Sequence, residues 1–96
     1  MRIKNGVNIL GLAPQMVIAL NVAESIYRET DHEVVITSAI DGEHMAHSHH
    51  FKGCAVDIGL HPIAEIAVRK IGESLGQQFQ VILEKDHIHI EFDPKI

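Results

Sequence analysis

Histidine and aspartate recur in two short stretches of this chain at spacings that suit a metal site. The first stretch contains His50 and Asp57, and the second, residues 86–89, reads Asp-His-Ile-His. Together they supply imidazoles and a carboxylate, the donors of catalytic zinc, which keeps three protein ligands and leaves a fourth position to water. A further carboxylate near that water can accept its proton. The pattern therefore predicts a small zinc hydrolase.

The histidines are also clustered, which supports a metal site without proving one. The chain has eight, and five of them fall between positions 44 and 61. A group of surface histidines that binds metal only adventitiously would give the same count. Asp57 lies among apolar residues, where an uncompensated carboxylate is costly. A metal would offset that cost, but a salt bridge or hydrogen bond in a sheet would also do so, and His50 could be an exposed loop residue.

Length and composition limit the other classes of function. The 96 residues suffice for a single domain, spanning 1–96. The net charge is −5, the basic residues are scattered and tryptophan is absent, so we expect no nucleic-acid partner. The apolar stretch over 7–23 is interrupted by Asn8, Pro14 and Asn21, and it predicts neither a membrane span nor a signal peptide. Without a signal peptide the protein should accumulate in the cytoplasm, and we expect it to be a monomer.

Apolar spacing and turn residues predict the α+β class, with a small antiparallel sheet flanked by two helices. We expect helices from Pro14 to about residue 29 and from Pro62 to Leu75. We expect strands over 33–38, 53–59, 79–83 and 87–92, the last two as a hairpin. His87 and His89 should share one face of their strand, because side chains alternate between the two faces.

The two stretches resemble the signature of a known enzyme family. Residues 48–57 read Ser-His-His-Phe-Lys-Gly-Cys-Ala-Val-Asp, and His87-x-His89 follows. This pattern resembles that of the zinc peptidases of D-alanyl-D-alanine carboxypeptidase type, which share a superfamily with lysostaphin-type enzymes and hedgehog proteins. The resemblance covers roughly residues 34–92 and is closest to the short peptidase domains of phage and prophage endolysins. It implies a hedgehog/DD-peptidase-like fold, a zinc cofactor and a peptidoglycan stem peptide as substrate.

The resemblance also implies a role for each matched residue. It makes His50, Asp57 and His89 the zinc ligands. It adds three residues that would support the ligands or contact the substrate: Ser38, His44 and Ser48.

For catalysis, the resemblance implies that Asp86, three residues before the last ligand, is the general base. His87 would stabilise the oxyanion that forms on the attacked carbonyl. Glu84 is the alternative base, because it precedes His87 by the same spacing and would be the partner if His87 were the ligand.

Two departures from the family pattern bear on the substrate. Carboxypeptidases of this family use an arginine just after the first strand to hold the terminal carboxylate, whereas residues 37–43 here contain none. A tryptophan often seen before the last ligand is also missing. These departures favour an endopeptidase over a D-alanyl-D-alanine carboxypeptidase. A non-catalytic zinc-binding module of the same fold, and a zinc hydrolase for another small peptide or amide, remain alternatives.

Overall fold

The chain belongs to the α+β class predicted from its sequence, with two helices and a five-stranded sheet. A computed structural model describes residues 1–40 and 53–94. The elements are, in chain order, β1 (Arg2–Ile3), α1 (Pro14–Arg28), β2 (Val35–Ser38), β3 (Ala55–Gly59), α2 (Ala64–Leu75), β4 (Phe79–Leu83) and β5 (His87–Phe92).

Both helices lie close to their predicted positions. Helix α1 begins at Pro14, whose missing N–H costs nothing in a first turn, and it ends at Arg28. Helix α2 begins at Ala64 rather than at Pro62, because residues 62–63 form a turn, and it ends at Leu75, just before Gly76. The helices contact each other, and their buried side chains join the core on one face of the sheet.

The sheet is mixed rather than purely antiparallel, which corrects one part of the prediction. Its strand order is β1-β2-β3-β5-β4, and the four longer strands are joined by antiparallel pairs, as expected. Strand β1 adds a parallel pair with β2 at the edge. Since β1 has only two residues, both exposed, it carries no alternating apolar pattern from which it could have been predicted.

The two faces of the central strands differ in chemistry. Ile88 and Ile90 of β5 are fully buried, as are Val56 and Ile58 of β3, and all four pack in the core with the helices. Because successive side chains of a strand point to opposite faces, the alternate residues of β3 and β5 lie on the face away from that core. We call this second face the open face.

An irregularity of the β-bulge type sets the register between β2 and β3. Ile36 pairs with Ile58, but the next pair joins Ser38 to Asp57, so Thr37 is the additional residue. Without this shift Thr37, rather than Ser38, would be the cross-strand neighbour of Asp57. Bulges often redirect a side chain in this way beside a functional site.

The entry to β3 depends on a glycine. Gly53 has a φ of +74°, and its carbonyl oxygen accepts a hydrogen bond from the Ala13 N–H at 2.9 Å. A Cβ atom at this position would collide with the carbonyl oxygen of Gly11. Backbone therefore packs directly on backbone here, which holds the segment before α1 against the start of β3.

We predict that Gly53→Ala lowers the free energy of unfolding by roughly 1–3 kcal/mol, because a side chain adds both backbone strain and a collision. Gly6→Ala is the control, since Gly6 also has a positive φ (+90°) but a Cβ atom added there would meet no other atom within 4 Å. Chemical denaturation of both variants gives the comparison. An equal loss in the two variants would show that the approach of Gly11 contributes nothing.

Candidate metal centre

The structure brings several of the predicted site residues together on the open face. Asp57 lies in β3, His87 and His89 lie in β5, and Ser38 ends β2 as the cross-strand neighbour of Asp57. Asp86 and Glu84 lie in the connection between β4 and β5. The remaining predicted residues, His44, Ser48 and His50, lie outside the described residues.

Asp57 and His89 form the centre of the site. They are directly opposite each other in the antiparallel β3–β5 pair, and the His89 Nδ1 lies 2.8 Å from the Asp57 Oδ1. Only 15% of the Asp57 side chain and 16% of the His89 side chain are exposed. A half-buried carboxylate and an imidazole are thus held in contact by the sheet register itself.

His87 approaches the same carboxylate oxygen from the next position on the open face. Its Nε2 lies 3.6 Å from the Asp57 Oδ1, and its Nδ1 donates to the Asp86 Oδ1 at 2.7 Å. The hydrogen bond from His87 lowers the pKa of the Asp86 carboxyl, which is therefore ionised at neutral pH. Asp86 is highly exposed, so a peptide could reach it from solvent.

Glu91 contacts His89 on the open face, although no pattern in the sequence singled it out. Its Oε1 lies 2.8 Å from the His89 Nε2, and its side chain is only 14% exposed. The alternation of side chains along a strand could have indicated it, because Glu91 lies two residues after His89 and therefore shares its face. Five side chains therefore contact one another in a row that we call the charged row: Asp86, which precedes β5, and His87, Asp57, His89 and Glu91 of the open face.

The environment of His89 favours its charged form in the metal-free protein. The hydrogen bond with Asp57 raises the pKa of His89 most, partial burial opposes the shift, and the bond with Glu91 reinforces it. When both ring nitrogens carry protons, each can donate to one of these carboxylates. A metal at this site would have to displace a proton from the ring.

Glu84, the alternative base, contributes to the hairpin through its backbone. Its N–H donates to the His87 carbonyl oxygen at 2.9 Å, which closes the β4–β5 connection. The residue is exposed, and among the described residues no hydrogen bond joins its side chain to the charged row.

The donor chemistry of the row suits zinc, but the described residues alone do not complete a site. Within residues 1–40 and 53–94, no group of three or more His, Cys, Asp or Glu side chains is arranged to hold a metal. Asp57 and His89 offer a carboxylate oxygen and an imidazole nitrogen side by side, and Glu91 holds the second nitrogen of that imidazole. Zinc-binding histidines commonly have such a partner on the other nitrogen. The third predicted ligand, His50, lies in the undescribed segment.

No protein-family model, curated protein or solved structure matches this chain. In the part of the chain that the structure describes, neither helix is long and apolar enough to cross a membrane.

The raised pKa of His89 predicts how the stability of the metal-free protein changes with pH. Because the folded-state pKa exceeds the unfolded value of about 6.5, this stabilisation is complete below that value and is lost as pH rises through the folded-state pKa. Wild type should therefore exceed His89→Gln in unfolding free energy by more at about pH 6 than at about pH 9. Chemical denaturation in the presence of a chelator measures this difference in unfolding free energy. The contributions of other titrating groups largely cancel, because both proteins contain them. Parallel profiles for the two proteins would contradict the proposed pairing.

Proposed function

We propose that this protein is a zinc-dependent peptidase that hydrolyses a peptide bond in the stem peptides of bacterial peptidoglycan. The observation that carries the proposal is the contact of 2.8 Å between Asp57 and His89 on the open face, with His87 beside them. These are the residues to which the family resemblance assigns metal binding and catalysis. Zinc and the substrate class rest on that resemblance together with the donor chemistry of the site.

In this proposal Asp57 and His89 would hold the metal together with His50. When bound, zinc would supply an acidified water and would polarise the carbonyl to be attacked. The sheet keeps Asp57 and His89 in place, because both side chains emerge from the centre of a hydrogen-bonded strand pair. The bulge at Thr37 makes Ser38, rather than the bulkier Thr37, the cross-strand neighbour of Asp57.

Asp86 would transfer the proton of the attacking water, and His87 would stabilise the negative charge that develops in the reaction. Asp86 is ionised and exposed, so it can accept a proton from the attacking water and return it to the leaving amine. His87 donates to Asp86 through Nδ1, which leaves Nε2 directed towards Asp57. When the ring carries both protons, Nε2 can donate to the oxyanion of the tetrahedral intermediate.

The positions of the arginines support an endopeptidase rather than a carboxypeptidase. Arg2 is 3.6 Å from Glu33, Arg28 is 2.8 Å from Glu24, and Arg69 is 3.7 Å from Glu73. These are all the arginines of the chain, and they lie on the edge strand and the two helices rather than on β3 or β5. None is therefore placed to hold the terminal carboxylate of a substrate at the charged row.

The setting proposed for this enzyme follows from the resemblance to endolysin domains. We propose a monomer of phage or prophage origin that stays in the cytoplasm until it reaches the cell wall. Its partner is the peptide part of peptidoglycan and not nucleic acid, in agreement with the net charge of −5.

The proposed activity can be tested on purified peptidoglycan, with and without a chelator. We expect chelator-sensitive release of soluble fragments bearing new amino termini, and readdition of zinc should restore the release. Release of D-alanine alone would instead identify a carboxypeptidase. A protein that binds zinc but releases nothing would be a non-catalytic module, and either result would contradict the endopeptidase.

We predict that Asp86→Asn leaves zinc binding intact and lowers hydrolysis by about 10²- to 10⁴-fold, the usual contribution of a general base. Glu84→Gln is the matched control, because it removes the same charge two residues earlier and should retain activity. Zinc content and the rate of fragment release are measured on both variants. The reverse result would make Glu84 the base and would favour His87 as the metal ligand.

A further inference from the structure

We propose that Glu91 is a positioning residue that acts through His89, so that the Nδ1 of His89 faces the metal and the Nε2 keeps its proton. This inference rests on the zinc site of the proposed function. It assigns a role to a residue outside the predicted ligand set, and it specifies which nitrogen of His89 binds.

The geometry gives His89 two carboxylate partners on opposite sides of its ring. Asp57 Oδ1 lies 2.8 Å from Nδ1, and Glu91 Oε1 lies 2.8 Å from Nε2. The side chains of Asp57 and Glu91 are only 15% and 14% exposed, so neither contact is a loose surface pair. Since a metal can replace the proton on only one nitrogen, the other nitrogen must keep its proton and donate to the remaining carboxylate.

The surroundings indicate that the metal belongs on the Nδ1 side. Asp57 Oδ1 is approached by two imidazoles, because His87 Nε2 lies 3.6 Å from the same atom. Glu91 has Ala55 and Gln80 as its cross-strand neighbours, and the amide of Gln80 donates to Asp93 at 3.1 Å. Among residues 1–40 and 53–94, both imidazoles of β5 therefore approach the Asp57 Oδ1, whereas the Glu91 carboxylate contacts the outer nitrogen of His89.

A carboxylate in this position changes the properties of the ligand. By accepting a hydrogen bond from the Nε2–H, Glu91 fixes the tautomer and the ring orientation, and its negative charge makes the Nδ1 lone pair more basic. Loss of such a partner typically lowers metal affinity by about 10- to 100-fold. The expected effect is thus on zinc binding itself, before any effect on hydrolysis.

The first test is zinc affinity, measured by competition with a chromophoric chelator. We expect Glu91→Gln, which keeps an oxygen acceptor but loses the charge, to weaken binding about 10-fold, and Glu91→Ala to weaken it by up to about 100-fold. Asp93→Asn is the control. It also removes one negative charge, two residues after Glu91, but the Asp93 carboxylate accepts a hydrogen bond from the amide of Gln80. Its affinity should stay within about twofold of wild type.

A merely structural role for Glu91 would lower the melting temperature of the metal-free variants without changing the zinc affinity of the folded fraction. Equal affinities in wild type and Glu91→Gln would overturn the inference. If Glu91→Ala does not fold, Glu91→Gln decides the question. Absence of zinc binding in wild type would be a different failure, because it would remove the proposed metal site itself.

The second test identifies the nitrogen directly. In ¹⁵N-detected spectra of the zinc-loaded wild type, the His89 Nε2 should carry a slowly exchanging proton, and the Nδ1 should show the shift of a metal-bound nitrogen. Metal on Nε2, with the proton on Nδ1, would overturn the inference and make Asp57 the orienting carboxylate.

Discussion

The site depends on the need to balance a carboxylate that the sheet holds away from water. Asp57 lies in the middle of β3 and is only 15% exposed, so its charge must be offset by neighbours. Two imidazoles from β5 approach its Oδ1, and each of them contacts a second carboxylate, Asp86 or Glu91. Among the residues that the structure describes, three carboxylates thus contact two imidazoles, and these donors suit the divalent cation of the proposed site.

The same strands that carry this charge also carry the core, and the two roles are separated by the alternation of side chains. Ile88 and Ile90 are fully buried against the helices, while the residues on either side of them belong to the charged row. A slip of one residue in β5 would exchange the two sets and place the imidazoles in the core. The apolar face therefore fixes the register on which the contact between Asp57 and His89 depends.

Some parts of this arrangement follow from local sequence patterns, and others arise only where distant segments meet. The hairpin strands 79–83 and 87–92 have the predicted bounds, because β-branched residues and a turn marked them clearly. The α+β class was predicted, but β1 and its parallel pairing were not, since two exposed residues carry no pattern. The bulge at Thr37 arises from how β2 and β3 meet, which no local spacing encodes. Glu91 lay within the alternation that identified His87 and His89, and it was missed because the ligand pattern ends at His89.

The metal content of the purified protein tests the central claim most directly. After expression without added metal and dialysis against buffer, we expect one zinc per chain by elemental analysis, and substitution of Asp57 or His89 by alanine should abolish it. The paired substitutions matter because the other histidines of the chain could retain metal adventitiously. A wild-type protein that holds no zinc, or variants that hold as much as wild type, would contradict the proposed metal centre.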